Sequence, residues 1–230
     1  MRNPRTNQLI PFFDRRLTTI KDNTKIDGYF QAERYIMHRK QEIADWFRVD
    51  IPTSMPSNTC IISIRGGDYL RQPGLALGRR YYQNAMAAMQ RHNADVKFMI
   101  ITDDYRHARQ LLPHTDIAPA RSLGVLNRWQ RHPGKRQMAE HLALLQQAPM
   151  IILANSSFAW WGAWTNVSRP YVIAPKYWVA HTASDGYWHA ADSLTRDWFW
   201  MDQHGRVSSS QVCEREFAQY RAEHGWPEAD

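Results

Sequence analysis

Between residues 60 and 174 the chain alternates short, unbroken apolar runs with longer segments of helical period, and this alternation constrains the fold more than any other feature. CIISI (60–64), VKFMIIT (96–102), MIILA (150–154) and YVIA (171–174) have the length and apolar continuity of strands buried on both faces. The intervening stretches 79–92, 104–112 and 135–147, together with 158–167, read as helices. Strands alternating with helices in this way predict an α/β fold built on a parallel sheet of Rossmann type, covered on both sides. With 230 residues, 43% of them hydrophobic, there is enough apolar material for a real core.

The flanks are less regular. Residues 1–30 show no period, whereas in ERYIMHRKQEIADWF (33–47) Ile36, Ile43 and Phe47 recur on one helical face, which predicts an amphipathic helix. The proline- and serine-bearing stretch that follows marks a boundary, with residues 1–56 on one side and a ligand-binding domain, 57–230, on the other. Beyond Pro175 the chain is rich in Trp and His, and SSSQVCEREFAQYRAEHG predicts a closing surface helix begun by a serine cap.

Ligands of open α/β sheets bind beyond the carboxyl ends of the strands, and three polar clusters fall there. Ser63, Arg65, Gly67, Asp68 and Tyr69 surround the end of the first strand. Thr102, Asp103 and Asp104 follow the second. Asn155, Ser156 and Ser157 follow the third, where a strand-to-helix switch would offer hydroxyls and unpaired backbone N–H groups to an anion. Phe158, Trp160, Trp161 and Trp164 come next and would wall that notch. Arg65 precedes two glycines, so its planar fork lies beside backbone that a ligand can approach closely, which suits phosphate; pairing with Asp68 to hold the turn is the alternative. Asp103 and Asp104 read either as a helix cap or as carboxylates facing a metal diphosphate.

A formal charge of +7 favours an anionic partner, and residues 117–139 hold Arg121, Arg128, Arg131, Lys135 and Arg136 with no acidic residue. Outside this segment the basic residues form no stripe and the tryptophans lie in strongly apolar settings, so nucleic acid is not the expected partner. Cys60 and Cys213 have neither disulfide-framework nor zinc spacing, which fits a reducing compartment. There is no apolar leader and no run near the ~18 apolar residues of a membrane span, so the expectation is a cytoplasmic protein, either free or peripheral at the membrane. Ser156 and Ser157 stand in no GxSxG elbow, and GGDYLRQPG lacks the Gly-Lys-Ser/Thr of a Walker loop.

Two stretches carry a family resemblance. Ser63-Ile64-Arg65-Gly66-Gly67-Asp68-Tyr69 is similar to the His-x-Arg-Arg-Gly-Asp-Tyr signature of the α-1,2-fucosyltransferases, glycosyltransferase family 11. Asn155 to Ala163 follows that family's Asn-Ser-Ser/Thr-Phe-Ser-Trp-Trp-Gly/Ala-Ala almost letter for letter, with fainter echoes at 28–36, 102–104 and 141–148. The resemblance implies a GT-B-like fold, a GDP-fucose donor, a galactoside acceptor, inversion at the fucose carbon and no cofactor or bound metal. It implies that Arg65 holds the donor β-phosphate and stabilises departing GDP; Asp68, as the only carboxylate in the arginine motif, is the candidate general base, with bracing of Arg65 as its alternative role. Substrate contacts would come from Ser63, Gly67, Tyr69, Asp103, Asn155, Ser156, Ser157, Phe158, Trp160 and Trp161. Ser63 and Gly66 replace the motif histidine and second arginine. Nothing in residues 1–21 matches the family's glycine-rich opening, which implies a truncated N-terminal, acceptor-side lobe and a cleft completed by a second copy or another protein. A catalytically silent nucleotide-sugar-binding or partner protein is the reading from a different class.

Overall fold

A computed structural model describes residues 13–27, 32–53, 55–72, 74–113, 135–176, 178 and 194–224. Among the described residues six strands form one sheet: β1 (Thr59–Ile64), β2 (Lys97–Thr102), β3 (Met150–Ile152), β4 (Tyr171–Pro175), β5 (Phe199–Met201) and β6 (Val207–Ser209). Their spatial order is β2-β1-β3-β4-β5-β6. The first five run parallel and β6 alone is antiparallel.

Residue alternation along β1 divides the interior into two layers, because successive side chains of a strand leave opposite faces. Cys60, Ile62 and Ile64 pack with Tyr81, Tyr82, Ala85 and Met89 of α2 (Arg79–His92) and with Ala108 of α3 (Tyr105–Leu111). Ile61, Ile101, Ile151 and Leu153 pack on the other face with α4 (Lys135–Gln147), α5 (Ser157–Trp164) and Cys213 of α6 (Ser210–Glu223). Ile43 of α1 (Lys40–Phe47) joins this second layer. A parallel sheet covered on both faces is thus the architecture, as the apolar strands predict.

Several boundaries differ from the sequence reading. The expected helix over 33–47 is α-helical only from Lys40, and its first part forms two 3-10 turns, Glu33–Tyr35 and Met37–Arg39. The cause is Glu33, whose buried carboxylate is drawn inward to accept from Trp164 Nε1 at 2.9 Å and from the Arg196 backbone N at 2.8 Å. Likewise α5 stops at Trp164 rather than 167. Thr165 Oγ1 turns back to the Trp161 carbonyl, and Asn166 Nδ2 donates to the Leu145 and Ala148 carbonyls at the end of α4. Strands β5 and β6 were not expected; each has three residues, joined by a turn in which Asp202 Oδ1 accepts from His204 N and Arg206 N. The serine cap of α6 is present, with Ser209 accepting from Val212 N. Gly28 to Phe30, Arg121, Arg128, Arg131 and the Trp- and His-rich residues 179–193 lie outside the described residues.

Residues 32–53 pack directly on the sheet domain. Gln146 and Gln147 at the end of α4 grip this segment, bonding the backbone of Phe47, Val49, Ile51 and Thr53. Among the described residues no helix is long and apolar enough to cross a membrane.

Candidate functional site

The sheet order fixes where a crevice opens. From β1 the chain crosses to β2 on one side, and it later returns to β3 on the other side of β1. The segments leaving β1 and β3 therefore diverge toward opposite layers, and a cleft at the carboxyl ends of these two strands follows from the topology. The residues following β1 and β3 bound it directly, and those following β2 adjoin it.

The register Ile64↔Thr102 carries on past the strands, setting Arg65 beside Asp103 and Gly66 beside Asp104. Arg65 Nη1 donates to Asp103 Oδ2, and Arg65 Nη2 donates to Asp68 Oδ1. Asp103 is fully used, since its Oδ1 also accepts from Gly66 N at 2.8 Å. Asp104 turns the other way, capping α3 through an Oδ1 bond to His107 N at 2.9 Å. Asp104 thus takes the helix cap, one of the two roles read for this acidic pair, while Asp103 is engaged by the arginine, a role the sequence reading gave to Asp68. Gly66 is buried, and a Cβ there would lie 2.6 Å from Asp104 Cβ, so the place where the family signature carries its second arginine is closed here by Asp104. Gly67 has φ +54, a conformation that suits glycine.

A second chain of contacts ties this cluster to β3. The Arg65 guanidinium lies 5.0 Å from the centre of the Tyr69 ring, and Tyr69 Oη donates to the Asn155 carbonyl at 3.1 Å. Burial raises the Tyr69 pKa, so the hydroxyl stays protonated and able to donate. Asn155 is buried, and its Nδ2 donates to the Leu75 carbonyl at 2.8 Å, holding the loop before α2 against the end of β3. Among the described residues Asn155 Oδ1 has no hydrogen-bond partner, which is costly for a buried acceptor. Ser156 occupies the N-cap of α5 with extended backbone but makes no side-chain capping bond. Sequence reasoning expected a capping serine here; the position is right and the hydroxyl is not spent on the helix. Ser157 and Phe158 are exposed in the first turn.

Not every candidate reaches the crevice. Ser63 is buried within β1, opposite Ile101. Trp160 donates its Nε1 to Thr195 Oγ1 and stacks on Trp164, and Trp161 stacks on Phe47 of α1 with ring centres 5.0 Å apart. Both are packing residues of the second core layer rather than walls of the notch, because one turn of helix carries them down from the α5 N-terminus toward α1. Among the four aromatics of α5, Phe158 is the exposed one, in the first turn. Leu75 was missed by the sequence reading, and no pattern advertises a backbone carbonyl as a partner.

Arg65 is thus a cation held in place from two sides, on a glycine turn that Tyr69 ties to the residue before the α5 N-cap. Such a set suits an anion with two or more oxygens. His141, buried in α4, has its pKa pushed down to about 4 by that burial and is a neutral core residue at neutral pH. A separate groove of about 500 Å³ is lined by α1, residues 48–52, the end of α4 and the residues just after α5, so the segment gripped by Gln146 and Gln147 forms one of its walls. It touches none of the residues at the strand ends.

The sequence model of Glycosyl transferase family 11 matches residues 22–201, a span that takes in all three strand ends. An Escherichia coli alpha-1,2-colitosyltransferase is 27% identical over 176 residues, covering 70% of this chain and 58% of that protein. The O-antigen biosynthesis glycosyltransferase WbnK of Escherichia coli is 26% identical over 130 residues, 54% of this chain and 40% of its own length. The chain spans about half the length of these curated relatives. No solved structure matches it.

Proposed function

Because the chain belongs to glycosyl transferase family 11, we propose that the crevice between β1 and β3 binds the diphosphate of a GDP-sugar, and that the protein transfers fucose from GDP-fucose to a galactoside with α-1,2 linkage. The observation that carries this reading is Arg65, fixed by Asp103 at the carboxyl end of β1 within the motif that ties β1 to the start of α5. In an inverting transfer the acceptor hydroxyl attacks the sugar carbon in line with the bond to GDP, and negative charge grows on the departing β-phosphate. A preorganised cation in a crevice is worth more to that developing charge than to the bound ground state. The α5 N-terminus, with Ser156 uncommitted, supplies further donors to the same oxygens. Arg65 supplies the positive charge at the leaving group, so the reaction proceeds without a bound metal. Asp68 is the exposed carboxylate of the motif and the candidate for accepting the acceptor's proton. A two-lobed GT-B arrangement goes with this chemistry, its acceptor side facing the strand ends. The relatives' names favour assembly of a surface polysaccharide.

One observation favours a silent nucleotide-sugar-binding protein instead: Ser63 and Gly66 stand where the family signature has a histidine and an arginine, and the Gly66 site is filled by Asp104. Incubation with GDP-fucose, or with a colitosyl donor, and a panel of galactosides separates the readings. Release of GDP matched by an α-1,2-linked product supports transfer. Donor binding without product supports the silent reading, and an absence of both contradicts the donor site.

A further inference from the structure

The two carboxylates on Arg65 are not equivalent. Asp103 has a side chain only 13% exposed and spends both oxygens inward, on the guanidinium and on Gly66 N. Withdrawing it would strand a backbone N–H, so it is a fixed brace. Asp68 has a side chain 62% exposed and engages Arg65 through one oxygen only. It rides on a short 3-10 turn, Gly67–Arg71, whose first residue is the left-handed glycine. The Arg65 side chain is itself 33% exposed, and it is the Nη2 end that the exposed Asp68 holds.

Resting on the donor-site reading, we propose that Asp68 is an internal stand-in for the donor phosphate: it holds the Nη2 edge of the Arg65 guanidinium and yields that edge when a diphosphate arrives. Carboxylate and phosphate oxygens approach a guanidinium in the same plane and with the same geometry, so one site serves both. The charges support an exchange rather than an addition. With both aspartates in place, the cluster of one cation and two anions carries a net negative charge and repels a diphosphate. Once Asp68 moves away, only the neutral Arg65 and Asp103 pair remains at the site. The competing contact lowers the fraction of protein ready to bind, and apparent affinity falls in proportion.

Calorimetric titration of GDP and of guanosine into wild type, Asp68→Asn, Asp68→Ala and Asp103→Asn tests this. Removing the Asp68 charge is expected to tighten GDP binding ~3–10-fold, the gain if only about a tenth to a third of wild type is ready at any moment. Guanosine, which has no phosphate, should bind wild type and both Asp68 variants alike. Asp103→Asn should weaken GDP binding, because the brace is lost. Unchanged or weaker GDP binding by both Asp68 variants, with wild type binding normally, overturns the stand-in role and leaves the donor site intact. An equal gain for guanosine also overturns it. Failure of wild type to bind GDP overturns the donor-site reading and this inference with it.

Discussion

Gly66 and Gly67 face Asp103 and Asp104 across the ends of β1 and β2, and this pairing sets what the arginine turn can tolerate. A Cβ at position 66 would meet Asp104 Cβ at 2.6 Å, and one at 67 would meet Asp103 Oδ2 at 2.9 Å. The contact at 66 is carbon against carbon near the backbone, which no side-chain rotation relieves. Gly66→Ala should therefore destabilise the protein by ~1–3 kcal/mol, the usual range for overpacking. Asp104→Gly removes the opposing Cβ, and glycine is a tolerable cap, so that change alone should cost only a few tenths of a kcal/mol. The double variant should be close in stability to Asp104→Gly alone, which urea unfolding of the four proteins measures; additive losses would show that the contact is not what excludes a side chain. Apart from Arg65, the residues of this turn were legible in the sequence only as types. That Asp103 rather than Asp104 would meet Arg65 depends on strand register, which hydrophobic pattern does not specify.

At the scale of elements, the long apolar strands and the amphipathic helices α2, α4 and α6 could be read directly, because burial on a fixed face dictates their period. Elements held by one long-range polar contact could not. The 3-10 turns before α1 exist because Glu33 reaches 131 residues along the chain to Trp164. β5 and β6 are too short to show alternation and persist through pairing with β4 and with each other. Glu33 joins the entry segment to α5 and to the residues before β5, holding the buried Trp164 Nε1 and the part-buried Arg196 N–H at once. Glu33→Gln keeps one acceptor and leaves one donor unsatisfied, at a cost of ~1–3 kcal/mol; Glu33→Ala strands both and should cost about twice as much. Chemical unfolding read by tryptophan fluorescence checks the order. Equal stability of all three proteins would mean that water replaces the carboxylate without penalty.

For the molecule as a whole, one sheet and two covering layers bring three separate polar clusters to adjoining strand ends, and the switch in strand order opens the crevice between two of them. The sequence showed the clusters and the edge they share. It did not reveal that Trp160 and Trp161 turn into the core, since a tryptophan pair reads the same in a wall as in a packed layer. Net positive charge pointed to an anion without saying which, and the arrangement at Arg65 favours a diphosphate held by few contacts over a polyanion held by many. Titration of GDP by calorimetry, with and without magnesium, into wild type and Arg65→Ala is the most direct test of that claim. The account predicts binding by wild type in the absence of metal and a loss of ~1.5–3 kcal/mol on Arg65→Ala, the range for a hydrogen bond to a charged group. No heat from wild type at millimolar GDP, binding only with magnesium, or equal affinity in Arg65→Ala would contradict it.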